Sequence, residues 1–382
     1  MRHFIPFASL LIALSACNTI THQDGIIYFD TDKKYPVLNL SLSDIANIRY
    51  VKLEGEELNL IINEISSDIC FDKTRNQIIL GKTLKPPYFI SVFDKDGHFL
   101  RQIGHQGSGP GEFLSEVNLA YQDKNDILTV FSRSNSKIIQ YHSSGDYIRE
   151  RCFSFIPPFS RIFLLDDRII IYNYADNSVI NNRLLDNGWT FKVLNINTLE
   201  EIPIKDHHFD ETMNEDDPTI PREGTCITDD GLLFTSCRSD TTYLLDHNLE
   251  IHPVLIDIQH NRERGFLLVP TFETKDYLFL QLYPPRKAGI GQTGHKYYAI
   301  RRSDKAIFSC GTNTYYSIFT HNTLSLGNSI QSVTPGCGRY VIFKGYVPNP
   351  PEPDFPIPPE VEELAKDMDD ESNPILMIIE FK

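Results

Sequence analysis

Methionine is scarce in this 382-residue chain: 4 residues, against 24 phenylalanines and 18 tyrosines. An apolar supply so rich in aromatics favours strands over helices. The chain has no cluster of Lys or Arg to offset its formal net charge of −15. An acidic surface of that kind repels phosphate backbones, which excludes nucleic acid as a partner. Beyond the N-terminus no apolar run is long enough to cross a bilayer. The HExxH, GxSxG and paired CxxC patterns are all missing, so the sequence carries no metalloprotease, nucleophile-elbow or zinc-ribbon signature. Six cysteines, Cys70, Cys152, Cys226, Cys237, Cys310 and Cys337, are scattered without ligand spacing and read as mostly buried thiols. Cys226 and Cys237 flank one hairpin, but a turn at Asp229–Gly231 sets Leu233, not Cys237, opposite Cys226.

What is present is a long succession of short β runs broken by Asp, Asn and Gly turns. Ile90-Ser91-Val92-Phe93-Asp94-Lys95-Asp96-Gly97-His98-Phe99-Leu100-Arg101 superposes on Ile138-Ile139-Gln140-Tyr141-His142-Ser143-Ser144-Gly145-Asp146-Tyr147-Ile148-Arg149. Both copies read as hairpins with a glycine where a positive φ is needed. Fainter copies lie at 191–204, 243–254 and 297–309, and each follows another hairpin, giving four-strand units near 65–103, 116–153, 159–204, 225–258 and 266–310. A sixth unit begins at 329–346 and is completed late by 375–381. It lacks a fourth strand, and Ile48-Arg49-Tyr50-Val51-Lys52-Leu53 is the segment to supply it. The expected fold is therefore an all-β, six-bladed β-propeller closed by an N-terminal strand. One short helix, 358–369, is inserted in the last blade within 347–374, with Val361, Leu364 and Met368 on the face expected to pack on the propeller.

The first residues read as an export signal, with Arg2 and His3 before an apolar run at 4–14. Leu14-Ser15-Ala16-Cys17 resembles the lipobox of bacterial lipoproteins, which implies lipidation at Cys17 and a membrane contact through that anchor. The expected organisation is a signal peptide and lipobox at 1–17, a tether and irregular lead-in at 18–47, and the propeller over 48–382. Ile103-Gly104-His105-Gln106-Gly107-Ser108-Gly109-Pro110-Gly111-Glu112-Phe113 looks like the inter-blade segment of NHL-type propellers. It is closer still to the six-bladed β-propeller lipoproteins of Gram-negative gut bacteria. Those also carry an Asp-x-Asp-Gly hairpin, an early strand like Arg49-Tyr50-Val51-Lys52-Leu53-Glu54, and a late strand like Asn373-Pro374-Ile375-Leu376-Met377. The resemblance implies a fold and a place in the cell envelope, on the outer membrane, and assigns no reaction.

For chemistry the sequence offers little. The glycines of 104–113 invite a phosphate-loop reading, but the Lys-Ser/Thr of a P-loop is missing, so a tight crossing between blades explains them better. Asp94-x-Asp96-Gly97 lacks the further ligands of a calcium loop. His207 and His208 sit in an acidic connection, 205–224, that reads as an exposed loop. Inner-strand polar residues are few, Asp68, Glu116 and Asn118 being the nearest, so no catalytic residue, metal ligand or cofactor is assigned. Consecutive connections of an up-and-down sheet alternate between its two ends, which gathers the long loops on one face. There the candidates for ligand contact are His105, Arg133, Trp189, Arg238, Arg262, Arg264, Tyr283, Arg286 and His295. The reading is a monomeric, non-catalytic envelope lipoprotein recognising a peptide, glycan or protein partner. Its alternative is a metal-dependent lyase or hydrolase with its site in the central channel, which three or more convergent His, Asp or Glu side chains would favour.

Overall fold

In the inner and middle strands of several blades, neighbouring residues on opposite faces are both buried, as a ring of stacked sheets requires. In Arg168–Asn173, Ile169 and Ile171 pack toward one adjoining sheet while Ile170 and Tyr172 pack toward the other. Gln77–Lys82 repeats the pattern, with Ile78 and Leu80 on one side and Ile79 on the other. A computed structural model of the chain describes residues 25–40, 42–54, 67–82, 88–114, 117–154, 160–173, 179–180, 183–184, 190–205, 224–235, 239–260, 266–283, 296–310, 331–332, 339–343, 359–367 and 375–382.

Six antiparallel four-strand units follow one another. Blade 1 is Ser67–Asp72, Gln77–Lys82, Ile90–Asp94 and Phe99–Ile103. Blade 2 is Val117–Gln122, Ile127–Ser132, Lys137–Tyr141 and Tyr147–Cys152. Blade 3 is Ser160–Leu165, Arg168–Asn173, Phe191–Asn195 and Glu201–Ile202. Blade 4 is Gly224–Thr228, Gly231–Thr235, Thr241–Asp246 and Ile251–Asp257, with Cys226 opposite Leu233 as its turn predicts. Blade 5 is Leu267–Glu273, Tyr277–Tyr283, Lys296–Arg301 and Ile307–Cys310. Blade 6 combines Gln331–Ser332, Arg339–Phe343 and Ile375–Phe381 with the N-terminal Ala46–Lys52, which pairs in register from Ala46 opposite Phe381 to Lys52 opposite Ile375. Six apolar clusters fill the six gaps between successive blades, the last joining Val51, Leu376 and Ile378 to Ile69, Ile78 and Phe93. The chain is thus a closed six-bladed β-propeller.

The N-terminal lead-in is more ordered than its sequence suggests. Ile27–Phe29 and Val37–Leu38 add parallel fifth strands to the outer edges of blades 4 and 5 before the chain reaches blade 6. Two or three residues show too little alternation to be read as strands; the sheet edges beside them supply the order. Phe29 and Tyr35 pack on Tyr298, and burial pushes the Tyr35 hydroxyl up to about 12. The helix of the last blade is Pro359–Ala365. Its Val361 is buried in the cluster between blades 5 and 6, so that face packs on the ring as expected.

Outer strands meet head to tail, and an arginine clasps several of these junctions. Arg49 of blade 6 donates to the Lys95 carbonyl in the turn of blade 1, at 2.8 Å. Arg101 of blade 1 donates through Nε to the Ser143 carbonyl of blade 2 at 2.8 Å, and Arg151 of blade 2 to the Leu199 carbonyl of blade 3 at 2.6 Å. The tight turns add links of their own. Arg75 reaches Asp126 at 2.8 Å, and His247 lies between Asp166 Oδ2 at 2.8 Å and the Asp229 carbonyl at 2.9 Å. The rim of short turns is a fastening between blades.

Candidate functional site at the mouth of the channel

The innermost strand of each blade runs from the loop-bearing rim toward the tight turn, so its first residues border the channel mouth. Asp68, Asn118 and Arg161 occupy the same register position in blades 1, 2 and 3, opposite Gly81, Phe131 and Tyr172. One Asp68 oxygen accepts from Asn118 Nδ2 at 3.0 Å and from the Leu119 amide at 2.9 Å. Its other oxygen takes the Arg161 guanidinium at 3.1 Å. Blades 1 and 3 are not neighbours, so this last contact must pass along the channel wall in front of blade 2. Asp68 and Asn118 are buried, and the Arg161 side chain keeps 26% of its exposure. Asn118 Oδ1 is buried without a hydrogen-bond partner, as is Ser160 Oγ beside Arg161. The cluster carries its own cation, and its carboxylate is occupied by three donors. Such an arrangement can hold a polar group but leaves Asp68 poorly placed as a base or metal ligand.

The glycine-rich crossing between blades 1 and 2 is filled from within. Glu112 accepts from the Gly109 amide at 2.7 Å and contacts His105 Nε2 at 2.7 Å. The Gly109 amide first and His105 second hold the Glu112 carboxyl below its ordinary range. The Gly111 amide goes to Glu150 at 2.8 Å, and Lys137, itself paired with Glu150, caps the Gly109 carbonyl at 3.0 Å. A Cβ on Gly107 would stand 2.1 Å from Glu112 Oε2, so a side chain there would push the carboxylate aside. The amides that an external anion would use already serve two internal carboxylates, which makes this segment a crossing.

Of the candidates read from the sequence, His105 belongs to that crossing. Arg133 begins the turn after Ile127–Ser132 and Tyr283 ends Tyr277–Tyr283 opposite Leu267, which puts both on the rim that bears the channel mouth. Cys17, Trp189, Arg238, Arg262, Arg264, Arg286 and His295 lie outside the described residues, as do Glu116, His207 and His208. Sequence reasoning singled out Asp68 and Asn118 but missed Arg161. The available signal was a polar residue recurring between small or apolar neighbours at the start of three successive inner strands: Ser67-Asp68-Ile69, Val117-Asn118-Leu119 and Ser160-Arg161-Ile162. Among the described residues one trio has metal-ligand spacing, Asp246, Glu250 and His252, on an outer turn. There Asp246 Oδ1 already accepts the Asn248 and Glu250 amides at 2.8 and 2.9 Å, the bonding of a turn. Asp94 likewise accepts the Asp96 and His98 amides, both at 2.9 Å.

A family model described as a domain of unknown function, DUF4934, matches residues 26–380. The chain belongs to the DUF4934 family. Its fold is shared by an exported-class protein of Bacteroides fragilis NCTC 9343, so named by inference. The two are 15% identical with a TM-score of 0.61, over 94% of this chain and 99% of that one. A member of the duf4221 family from Bacteroides vulgatus ATCC 8482 is 13% identical with a TM-score of 0.51, over 92% and 99% of the two chains. At such identities the likeness speaks for the propeller alone. No curated protein matches this DUF4934 chain.

Proposed function

We propose that this DUF4934 propeller is a non-catalytic binding protein of the cell envelope, held to the outer membrane by lipid at Cys17. It recognises a peptide, glycan or protein partner on the rim that carries the channel mouth. The observation that carries this reading is the contrast between the rims. One is fastened blade to blade through its turns. The other opens on a polar cluster spanning three blades. A closed ring offers such a site without ordering cost on binding, which favours recognition. The resemblance of the Cys17 segment to a lipobox, and of residues 103–113 to the six-bladed β-propeller lipoproteins of Gram-negative gut bacteria, supports the location.

The test uses the full chain expressed in an exporting Gram-negative host. Mass spectrometry should find acyl chains on Cys17, and Cys17→Ser should release the protein from the membrane fraction. On glycan and peptide arrays, Arg133→Ala should weaken the strongest signal while Lys124→Ala, on a tight turn, leaves it unchanged. Binding that follows Lys124 instead, or a ligand converted to product, would overturn the proposal.

A further inference from the structure

We infer that the outer wall of blades 4 and 5, finished by the N-terminal lead-in, is the side of the ring that lies on the phospholipid surface. The inference rests on the anchor at Cys17 proposed above and adds which face that anchor turns to the membrane. Seven residues, 18–24, separate Cys17 from Gly25, which stands two positions before Ile27–Phe29. That strand is the outermost of blade 4, paired with Leu255, Ile256 and Asp257. Fully extended, the leash from Cys17 to Gly25 spans at most about 29 Å. In a ring of six blades, blade 1 stands opposite blade 4. Strands about 4.8 Å apart give the five-stranded blade 4 a depth of about 19 Å and the four-stranded blade 1 about 14 Å. Their outer walls are thus more than about 33 Å apart before the channel is counted. The leash must also pass around the ring, not through it. The wall of blade 1 is out of reach of the membrane, and the wall of blades 4 and 5 is held to it.

The chemistry of that wall agrees. Among the described residues the exposed large apolar side chains fall in two groups. Val37, at 60% exposure, and Ile258, at 43%, lie on the outer edges of blades 5 and 4; Leu100, Leu114 and Tyr147 lie on blades 1 and 2 and the crossing between them. The tether selects the first group. Its two members are joined through the lead-in. The Ile258 amide donates to the Phe29 carbonyl at 2.9 Å, Phe29 stacks on Tyr35 at 5.6 Å, and the Pro36 carbonyl beside Val37 accepts from the Ser309 amide at 3.0 Å. A chain of net charge −15 is repelled by anionic headgroups, but on this wall the charges cancel. Asp30 and Asp32 are matched by Lys33 and Lys34, and Ile251–Asp257 brings one carboxylate, Asp257, which is buried. The turns of blade 4 are the opposite case, with Asp229, Asp230, Asp246 and Glu250. A wall with apolar side chains, two lysines and balanced charge can rest at headgroup level. With that wall down, both mouths of the channel stay open to the aqueous compartment.

The experiment is photo-crosslinking of the full acylated chain in phosphatidylcholine vesicles doped with a lipid whose headgroup carries a phenyl diazirine. Mass spectrometry of the intact chain reports acylation, and mass spectrometry of its peptides reports where the lipid has attached. Peptides within 25–40 and 251–260 should carry about fivefold more lipid than those within 99–103 and 147–152. Val37→Asn combined with Ile258→Asn should lower the yield at 25–40 and 251–260 by about threefold or more, while the acyl chains keep the protein in the membrane fraction. Both side chains are exposed, so the variant retains its core, which circular dichroism checks. Labelling centred on 99–103 and 147–152, labelling spread evenly around the ring, no labelling, or a yield unmoved by the double substitution would overturn the inference and leave the anchor standing. A chain without acyl groups on Cys17 and free of the vesicles would end the anchor, and the inference with it.

Discussion

Replacing Gly97 by alanine should break the seam where the N-terminal strand meets blade 1. Gly97 has φ +96°, and a Cβ there would lie 2.0 Å from the Lys52 carbonyl oxygen and 2.8 Å from Val51 Cγ1. Both partners belong to the strand that completes the last blade. Lys52 cannot retreat freely, because Glu54 N donates to the Gly97 carbonyl at 2.8 Å and Phe99 N to the Glu54 carbonyl at 3.1 Å. Gly145 provides an internal control, since it takes the equivalent hairpin position in blade 2 with φ +102°, yet its Cβ would come no nearer than 3.6 Å to Gln102 O. Gly145→Ala should therefore cost only the left-handed backbone, about 1–2 kcal/mol. Gly97→Ala adds a clash of overpacking size and should cost about 2–5 kcal/mol in all. Urea unfolding followed by far-ultraviolet circular dichroism measures both. If the two variants lose the same stability to within about 0.5 kcal/mol, the seam does not hold the ring and the reasoning fails.

Two further outcomes follow from the same contacts. Asp68→Ala should cost about 1–3 kcal/mol, since it leaves the Leu119 amide and Asn118 Nδ2 without their acceptor and removes the Arg161 ion pair, and the double change with Arg161→Met should cost less than the sum of the two single changes; additive effects in urea titrations would deny the coupling. His98, through its bond to Asp94, and His247, through the Asp229 carbonyl and then Asp166, both have raised pKa values. Their contribution is thus complete below the unfolded value of about 6.5 and fades as pH climbs through the higher folded values. Melting temperature should fall between about pH 6 and 8, and His247→Gln should flatten that fall; an unchanged slope would exclude His247 as a source.

The ring was legible because its pattern is local and repeated. Ile169-Ile170-Ile171 and Ile78-Ile79-Leu80 advertise strands buried on both faces, and Gly97 and Gly145 mark hairpins whose φ the structure reproduces. A last blade short of one strand, with Arg49-Tyr50-Val51 spare at the other end of the chain, left closure as the arrangement that spares an edge. The reason Arg49 stands there was not legible. Its role is to grip the Lys95 carbonyl of another blade, a contact no nearby residue announces.

Local pattern by itself determined the strands, their turns, the count of blades and which rim bears the long connections, because each depends on residues close in sequence. Tertiary structure alone decided what gathers at the mouth of the channel. Asp68 and Arg161 are far apart along the chain and meet only because closing the ring bends three inner strands toward one axis. It also decided that Ile27–Phe29 and Val37–Leu38 are strands, since an edge several blades away supplies the hydrogen bonds that so short a segment cannot form with itself.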